Sequence, residues 1–390
     1  MLRWQTAGES HGQCLTALVS GLPLGVPVDL AFINRELRRR QAGYGRGGRM
    51  KIEHDEVQIL SGVRHGKTIG SPITLQIENK DWANWEDTLP VEDKPVPAEK
   101  QRPLTQPRPG HADLAGALKF NLHDARYILE RASARETAAR VAAGALAKLF
   151  LRGFGVKVLS HTVAIGSVKL ERAAGWEEIV AACEDAEAGI RCVDPQVAAK
   201  MTNLIDRALA ERDSLGGVFE VVAHNVPPGL GTHVQWDEKL DGRLAQAVMS
   251  IQAVKAVEIG SGVTNAAAFG SKVHDEIGYE AAQRRFTRAS NHAGGLEGGM
   301  TNGEDTVVRG YLKPISTLRR PLQSVDLVTK ETVKAAYERS DVCVVPAAGI
   351  IGEAMVALAL AAAMRVKFGG DTLEEAQRNF SAYLEQLKAF

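Results

Sequence analysis

The stretch Ala354-Met355-Val356-Ala357-Leu358-Ala359-Leu360-Ala361-Ala362-Ala363-Met364 is apolar on nearly every face of a helix. A helix of this kind has no side suited to water, so we expect it to pack against sheets or other helices on more than one side. Apolar residues at helical spacing predict two further helices, over residues 141–149 and over residues 244–251, the second ending near Gly260. The chain is therefore expected to have a core of long apolar helices.

Short runs of β-forming residues accompany these helices, at residues 57–60, 73–77, 156–165, 218–223 and 306–311. Strands and helices follow each other irregularly, without the steady alternation of a doubly wound parallel sheet. The sequence thus predicts an α+β fold, a layered sandwich in which antiparallel sheets pack around a core of long apolar helices. Residues 79–109 are rich in proline, which predicts a long loop, and loops of this length are often functional.

Composition narrows the class of protein. Lys plus Arg and Asp plus Glu are each 47, so the net charge is zero, which excludes a protein that coats polyanions. Aromatic residues make up 5%, too few for stacking along a nucleic acid. The four cysteines include no CxxC pair, so neither a zinc site nor a disulfide framework is expected. The uncharged stretch 10–28 is broken by polar residues, proline and glycine, so we expect a cytoplasmic protein without a membrane span or leader.

The first segment that could carry chemistry is Gly8-Glu9-Ser10-His11-Gly12, which matches the G-x-S-x-G nucleophile elbow of serine hydrolases. No segment resembles the HGGG-type oxyanion loop of that fold, so hydrolysis through Ser10 is the weaker interpretation. Glycine-flanked turns let the backbone approach a ligand closely, and histidine titrates near neutral pH. His11 is therefore a candidate proton donor, although a histidine that merely completes a turn fits the same pattern.

A basic, glycine-containing segment follows at residues 35–51, where six arginines and one lysine face a single acid. Residues 43–48 satisfy G-x-G-x-x-G, but a helical run precedes them where a dinucleotide-binding fold needs a strand. Glycine mixed with arginine predicts a loop of guanidinium forks suited to phosphate or carboxylate. An RNA-binding segment and a simple solvated run of charge are the alternatives.

Two later segments combine arginine with turn or cap residues. Arg108-Pro109-Gly110-His111 joins a guanidinium, a rigid turn and an imidazole. Ser133 with Glu136 three residues on has the pattern of a capping box, so Ser133 is predicted to begin a helix. Arg131 and Arg135 flank that helix start, where backbone N–H groups and the helix dipole attract anions. An ordinary helix start explains this pattern equally well.

The glycine-richest stretch, residues 290–303, holds too many glycines for the interior of a helix or strand. Such a loop lets backbone amides approach a flat or phosphorylated ligand. Residues 313–317 (Lys-Pro-Ile-Ser-Thr) then follow a predicted strand, and Asp341 precedes a β-like run that ends at Pro346. Asp341 is either an acid–base group or the ion-pair partner of a neighbouring arginine.

Taken together, these residues suit a small substrate with several negative charges. Arginines bind such charges, and histidines can deliver a proton to a departing phosphate. The sequence contains no Walker pattern and no metal-ligand cluster, so neither phosphoryl transfer from ATP nor a bound metal is expected.

Six blocks of the chain, in order, resemble the signature blocks of the chorismate synthase family; they are residues 8–12, 43–50, 108–114, 130–145, 291–303 and 339–357. The resemblance covers essentially the whole chain and implies one catalytic domain, residues 1–390. It implies a carbon–oxygen lyase that converts 5-enolpyruvylshikimate 3-phosphate, which carries a phosphate and two carboxylates, to chorismate and phosphate. The reaction, the last shared step before the aromatic amino acids, is an anti-1,4-elimination that needs reduced FMN without net redox change, and NADPH is a possible reductant.

The resemblance also assigns roles to individual residues. His11 would protonate the leaving phosphate, His111 would lie beside the flavin pyrimidine ring and supply its proton, and Asp341 would accept or manage the proton near flavin N5. The substrate anions would be held by Arg46, Arg49, Arg108, Ser133, Arg135 and Arg339. The cofactor would be bound by Arg40, Arg46, Arg131, Ala132, Ser133, Gln252, Ala253, Gly298, Lys313, Pro314, Ile315, Ser316, Thr317 and Arg339. Of these, Arg40 and Arg46 match positions that the family uses for NADPH.

Finally, the resemblance implies a fold with helices between two antiparallel sheets and a homotetramer, with no metal, nucleic acid or membrane as partner. It leaves open whether the chain reduces its own FMN. The length of 390 residues leaves little room for large insertions, so we expect a monofunctional enzyme that receives its flavin already reduced.

Overall fold

The computed structural model describes residues 1–46, 54–183, 185, 188–337 and 341–390, so that Arg49 and Arg339 lie outside the described residues. The helices in these ranges are α1 (Leu30–Gln41), α2 (Asp113–Phe120), α3 (Arg126–Ala132), α4 (Thr137–Arg152), α5 (Trp176–Cys183), α6 (Pro195–Ala210), α7 (Leu240–Met249), α8 (Gly262–Asn265), α9 (Val345–Phe368) and α10 (Leu373–Ala389). The strands are β1 (Arg3–Ala7), β2 (Cys14–Ser20), β3 (Val57–Ile59), β4 (Val63–Arg64), β5 (Lys67–Thr68), β6 (Ile73–Glu78), β7 (Lys157–Ile165), β8 (Val168–Lys169), β9 (Gly217–His224), β10 (Val254–Ile259), β11 (Ile277–Glu280), β12 (Arg285–Arg288), β13 (Leu296–Glu297), β14 (Met300–Thr301), β15 (Thr306–Leu312), β16 (Gln323–Val325) and β17 (Thr332–Lys334).

Two antiparallel sheets dominate the strand structure. A four-stranded sheet has the order β1-β2-β6-β3, and a five-stranded sheet has the order β10-β15-β9-β7-β8. The other described strands form two-stranded hairpins. All pairings between these strands are antiparallel, which confirms the prediction of a mixed helix-and-strand fold with antiparallel sheets.

The apolar stretch quoted above lies in the middle of α9 (Val345–Phe368), which is buried along most of its length. α9 packs on α4 and on strands β7 and β9, while α4 also contacts β2 and β6 of the other sheet. By length and composition α9 could cross a membrane, but 89% of its apolar window is buried inside the protein, as in the core helix of a soluble fold. The prediction of a helix covered on several sides is confirmed.

The structure corrects two sequence-based boundaries. The helix predicted over residues 244–251 is α7, which ends at Met249, and the residues before Gly260 form strand β10 instead. The β-like run before Pro346 does not extend as a strand, because α9 begins at Val345. Proline is tolerated in the first turn of a helix, since the N–H that it lacks has no partner there. The strand predicted from the β-branched residues before Pro346 was therefore wrong at the start of α9.

A buried cluster of charges joins α1, α4 and α9. The guanidinium of Arg39 bonds Glu36 at 2.9 Å and Glu353 at 2.8 and 2.9 Å, and Lys148 bonds both carboxylates. Burial alone would raise the pKa of Glu353, but Arg39 and Lys148 outweigh it and lower that pKa. Arg39 therefore holds the core together rather than facing a nucleic acid, which weakens the RNA-binding interpretation of residues 35–51.

Candidate active site

His11 lies on the tight turn that joins β1 to β2. Gly8 opens this turn with φ of +102°, and a Cβ placed on it would lie 2.3 Å from the carbonyl oxygen of Cys14, so glycine is required. Ser10 is buried on the same turn, and its hydroxyl donates to Ser133 Oγ at 3.1 Å. A hydrolase nucleophile elbow needs a strand followed by a helix, whereas this turn joins two antiparallel strands. The turn therefore does not favour hydrolysis through Ser10.

Glu130 of α3 holds His11 in place. Its carboxylate oxygens lie 3.0 and 3.1 Å from His11 Nδ1, and Oε2 also accepts from the backbone N–H of His11 at 2.8 Å. The backbone carbonyl of Glu130 accepts from the N–H of Ser10 at 2.8 Å. One glutamate thus fixes both the turn and the imidazole. Sequence reasoning missed Glu130 as a site residue because 119 positions separate it from His11.

Ser133 begins a helical segment, as predicted, but the segment is a single 3₁₀ turn over Ala134–Glu136, and α4 starts only at Thr137. The Ser133 hydroxyl accepts from the N–H of Arg135 at 3.3 Å. In this tighter turn the hydroxyl caps the residue two positions on, so the capping box predicted with Glu136 is wrong. Ala132 ends α3 immediately before this turn. The same short turn therefore presents Ser133 to Ser10 and directs Arg135 inwards.

Arg135 and Arg40 meet at one buried carboxylate. Arg135 Nη1 lies 2.6 and 2.7 Å from the two oxygens of Asp55, and its Nε donates to Asn79 Oδ1 at 2.9 Å. Arg40 Nη1 lies 3.4 Å from the same aspartate, and Arg40 Nε donates to Thr137 Oγ1 at 2.9 Å. Asp55 thus brings two guanidiniums together, and clustered guanidiniums are suited to binding an anion. Asp55 and Asn79 carried no signal in the sequence, because Arg135, which bonds both, is 80 and 56 positions away from them along the chain.

His111 belongs to a second cluster, with Arg108, Asp113 and Thr317. Asp113 begins α2, and its Oδ1 lies 2.5 Å from His111 Nδ1 while its Oδ2 accepts from Arg108 Nε at 2.8 Å. Arg108 Nη1 also donates to Thr317 Oγ1 at 3.0 Å. Burial alone would raise the pKa of Asp113, but His111 and Arg108 outweigh it and hold this pKa well below its usual range. Asp113 was not predicted, although its place two residues after His111 was a usable local signal.

Residues 313–317 run alongside the His111 turn. Gly110 has φ of +79°, and a Cβ placed on it would lie 3.7 Å from both Lys313 Nζ and Ser316 Cβ. The N–H of Lys313 donates to the carbonyl of Ala253 at 3.0 Å. Burial lowers the pKa of Lys313. The structure therefore brings the predicted cofactor segments at Ala253 and at 313–317 to the side of His111.

Gln252 carries a buried acceptor that the described protein does not use. Its Nε2 donates to Glu136 Oε2 at 3.2 Å, but its Oε1 has no hydrogen-bond partner among the described residues. Ala253 has φ of +70°, a strained conformation for a residue with a side chain. Arg131 reaches the same region, where its Nη2 donates to the carbonyl oxygen and the hydroxyl of Thr6, both at 2.8 Å. An unsatisfied buried acceptor beside strained backbone is typical of a ligand-binding position.

Asp341 pairs with Arg46, whose Nη1 lies 2.8 Å from its carboxylate. Both side chains remain partly accessible. The carbonyl of Val342 accepts from the residue after Ser214, and the Ser214 hydroxyl donates to the carbonyl of Ile315 at 2.8 Å. Asp341 is thereby connected to the segment 313–317, and Arg46 with it.

Gly298 lies in the turn of the β13–β14 hairpin, where both Gly298 and Gly299 have positive φ. No heavy atom of the described protein lies within 4 Å of the position that a Cβ on Gly298 would take. Among the described residues, no contact therefore joins Gly298 to the two histidine clusters. The predicted site residues Arg49 and Arg339 lie outside the described residues.

The His11 cluster (His11, Glu130, Ser133, Arg135) and the His111 cluster (Arg108, His111, Asp113, Thr317) are joined through Gln252 and Ala253. Gln252 bonds the residue after Arg135, and Ala253 bonds the residue that begins segment 313–317. Two imidazoles, each paired with a buried carboxylate, therefore lie at either end of one continuous set of contacts that includes several guanidiniums. This arrangement, on a fold of antiparallel sheets and buried helices, is that of an enzyme for a small anionic substrate.

Comparison with known proteins identifies that enzyme class. Residues 2–365 match the family model described as "Chorismate synthase". The chorismate synthase of Solibacter usitatus (strain Ellin6076) is 62% identical over 390 residues, which is 100% of both chains, and that of Aquifex aeolicus (strain VF5) is 54% identical over 396 residues, 100% of this chain and 99% of the relative. A solved structure titled "Crystal Structure of Chorismate Synthase" superposes with a TM-score of 0.80 at 44% identity, covering 100% of this chain and 99% of that one.

The chain belongs to the chorismate synthase family. Enzymes of this family are lyases that eliminate phosphate from 5-enolpyruvylshikimate 3-phosphate to give chorismate, and they depend on a flavin. The family assignment and the activity inferred from the sequence are therefore confirmed. Neither hydrolysis through Ser10 nor RNA binding through residues 35–51 is supported.

Proposed function

We propose that this chain performs the elimination with reduced FMN, and that His11 and His111 are its proton-transferring residues. The observation that carries this proposal is the pairing of each imidazole with a buried carboxylate beside a buried guanidinium, Arg126 for the Glu130 of His11 and Arg108 for the Asp113 of His111. Proton transfer needs an imidazole held in one orientation, and binding of a phosphate and two carboxylates needs several fixed cations. The two clusters meet both requirements.

The substrate anions are assigned to one set of residues, Arg46, Arg49, Arg108, Ser133, Arg135 and Arg339. The convergence of Arg135 and Arg40 on Asp55 supports the assignment of Arg135, because clustered guanidiniums bind anions. Ser133 lies one hydrogen bond from the His11 turn, so an anion held by its neighbours would be close to His11. Arg49 and Arg339 rest on the family resemblance alone.

The flavin is assigned to Arg131, Ala132, Ser133, Gln252, Ala253, Gly298, residues 313–317 and Arg339. The residues present fit such a group, because Gln252 Oε1 is a buried acceptor without a partner among the described residues, and flavin ring N–H groups need acceptors. Lys313, Ser316 and Thr317 offer a cation and two hydroxyls in one short segment. When bound, reduced FMN supplies an electron-rich ring against which the elimination proceeds without net redox change.

The elimination breaks the C–O bond to phosphate, removes one proton from the ring carbon and leaves a new C=C bond. We assign His11 the donation of a proton to the departing phosphate. His111 manages a proton beside the flavin pyrimidine ring, and Asp341 accepts the proton lost from the substrate side. Asp341 is held by Arg46 in the described protein, with Arg46 Nη1 2.8 Å from its carboxylate.

We further propose that the enzyme is monofunctional and receives reduced FMN from elsewhere. Arg40, which matches a family position for NADPH, is 4% exposed and is committed to Asp55, Thr137 and the carbonyl of Ala134. A guanidinium held in this way has little surface left for a nucleotide phosphate. Arg46 is the more accessible of the two arginines, with 12% of its side chain exposed.

We also propose the wider architecture, the oligomeric state and the location of the protein. The contacts of α4 with β2 and β6, and of α9 with β7 and β9, support a layered sandwich of helices between two sheets within one catalytic domain, residues 1–390. A homotetramer and a cytoplasmic location follow from the family resemblance.

The test is an anaerobic assay of phosphate release and chorismate formation from 5-enolpyruvylshikimate 3-phosphate. With FMN reduced by dithionite we expect both products in equal amounts, and with oxidised FMN neither. Absence of both products with reduced FMN would refute the proposal. A parallel reaction with FMN and NADPH alone should give no product, and product formation there would show that the chain reduces its own flavin.

A further inference from the structure

Trp85 is a buried residue in a loop that is largely exposed. Only 7% of it is accessible, although residues 91–95 of the same loop are exposed. A 3₁₀ turn over Trp82–Asn84 leads into Trp85, and its indole Nε1 donates to Asp81 Oδ2 at 3.0 Å. The indole is therefore held in place by a hydrogen bond from Nε1 as well as by burial.

The indole of Trp85 stacks on the imidazole of His11. The ring centroids are 4.0 Å apart and the ring planes differ by 25°. Two guanidiniums also lie over the indole. The central carbon of Arg102 is 4.6 Å from the ring centroid, and the central carbon of Arg126 is 5.4 Å from it. Stacking of this kind holds the plane of the smaller ring, because tilting the imidazole would lose the face-to-face contact.

Glu130 constrains the same imidazole at its edge. A carboxylate accepts hydrogen bonds but does not donate them when ionised, so the proton between it and His11 belongs to Nδ1. A neutral imidazole carries one N–H, so His11 Nε2 is then the unprotonated nitrogen, which can take up a proton to give the imidazolium. The bond from the His11 backbone N–H to Glu130 Oε2 at 2.8 Å holds carboxylate and turn together.

We propose that Trp85 and Glu130 are the positioning residues of His11: Glu130 keeps the proton of the neutral ring on Nδ1, Trp85 fixes the ring plane, and Nε2 takes up a proton from water and then delivers it to the departing phosphate. This inference rests on the proposed role of His11 in protonating the departing phosphate. It gives the loop 79–109 a defined task, because Trp85 reaches His11 from that loop. Misplacing a reacting group by about 1 Å can cost roughly 10²-fold in rate.

Paired substitutions separate positioning from folding. Trp85→Leu keeps apolar volume but removes the aromatic face, and we expect kcat to fall roughly 10- to 100-fold with KM little changed. Trp85→Phe restores an aromatic face and should recover most of the loss. Trp82→Leu is the matched control, since Trp82 lies in the same 3₁₀ turn without a ring contact to His11 among those described, and it should retain wild-type kcat.

Glu130→Leu removes the acceptor, whereas Glu130→Gln keeps a carbonyl oxygen that can accept from Nδ1–H. The readout is the ¹⁵N solid-state NMR spectrum of histidine-labelled protein without flavin or substrate, with the His11 signals assigned by their loss in His11→Gln. We expect the wild-type protein and Glu130→Gln to show neutral His11 as the Nδ1–H tautomer, and Glu130→Leu to show a mixture of tautomers.

Three results would overturn the proposal. The first is a wild-type His11 in the Nε2–H tautomer, and the second is a Trp85→Leu variant with wild-type kcat. The third is a His11→Gln variant with wild-type turnover, which would refute the proposed function itself. Only the third result tests whether His11 itself is needed for turnover. The first two would refute the positioning roles and leave the proposed function standing, so the two failures are distinguishable.

Discussion

Arg135 Nη1 lies 2.6 Å from Asp55 Oδ1, and the same buried carboxylate also faces Arg40 at 3.4 Å. One negative charge thus holds two guanidiniums together near the His11 turn. Because one carboxylate brings two guanidiniums together, positive side chains are concentrated at this place, and concentrated positive charge attracts anions. The relationship explains how a chain of zero net charge can contain a strongly anion-attracting site.

Arg135→Lys keeps the positive charge but loses the planar fork that bonds both Asp55 and Asn79. Charge-assisted hydrogen bonds contribute about 1.5–3 kcal/mol each, so we expect KM for the substrate to rise roughly 10- to 100-fold. Steady-state kinetics under anaerobic conditions measure this. Arg207→Lys is the control, because Arg207 is an exposed residue paired with Glu211, and its KM should not change. An unchanged KM in Arg135→Lys would remove Arg135 from the substrate site.

His11→Ala and His111→Ala should each lower kcat by roughly two to four orders of magnitude, because each removes a proton-transferring group. Circular dichroism and thermal unfolding should show that both variants retain the fold. His233→Ala is the matched control, since His233 is exposed and lies outside both histidine clusters. Wild-type turnover in either of the first two variants would contradict the role given to that histidine.

Asp113 should make the stability of the protein depend on pH at the acidic end. Its pKa is lowered on folding, so its contribution is fully present above the pKa of an unfolded aspartate, about 3.9, and is lost as the pH falls towards the lower folded value. Asp113→Asn should therefore be less stable than the wild type at pH 7 by roughly 1.5–3 kcal/mol, with the difference shrinking below about pH 4. Urea unfolding at a series of pH values measures this, and a difference that stays constant down to pH 2 would contradict it.

Gly144 of α4 touches α9 so closely that a Cβ placed on it would lie 2.3 Å from the Cβ of Ala354. Gly144→Ala should therefore destabilise the protein by about 1–3 kcal/mol through overpacking. Gly242, in α7, has no atom within 4 Å of the corresponding position, so Gly242→Ala should be neutral or stabilising by up to about 1 kcal/mol. Chemical unfolding of both variants measures the contrast, and equal effects would show that the α4–α9 contact is looser than described.

The parts of this structure that sequence predicts are those fixed by local pattern. The apolar run in α9 and the strands near residues 157–165 and 217–224 follow directly from periodicity. The start of α9 was misplaced, because Val344 and Val345 favour a strand locally while tertiary packing favours a helix. Asp113 could have been found from its closeness to His111 in the chain.

Other site residues could not be found in this way. Glu130 is 119 positions from His11 and Asp55 is 80 positions from Arg135, and no local pattern encodes a contact between such distant segments. Trp85 lies among charged and proline-rich residues, where an aromatic residue predicts nothing about stacking on His11. The carboxylates of Glu130 and Asp55 are therefore visible only in three dimensions, whereas the arginines and histidines that they hold are recognisable from the sequence.

The central claim is that His11 and His111 face one bound substrate and one flavin. A crystal structure of the chain with 5-enolpyruvylshikimate 3-phosphate and FMN tests it most directly. We predict His11 Nε2 within about 3 Å of a phosphate oxygen of the substrate, and His111 within the same distance of the flavin or substrate. A complex in which the substrate lies away from both imidazoles would contradict the account.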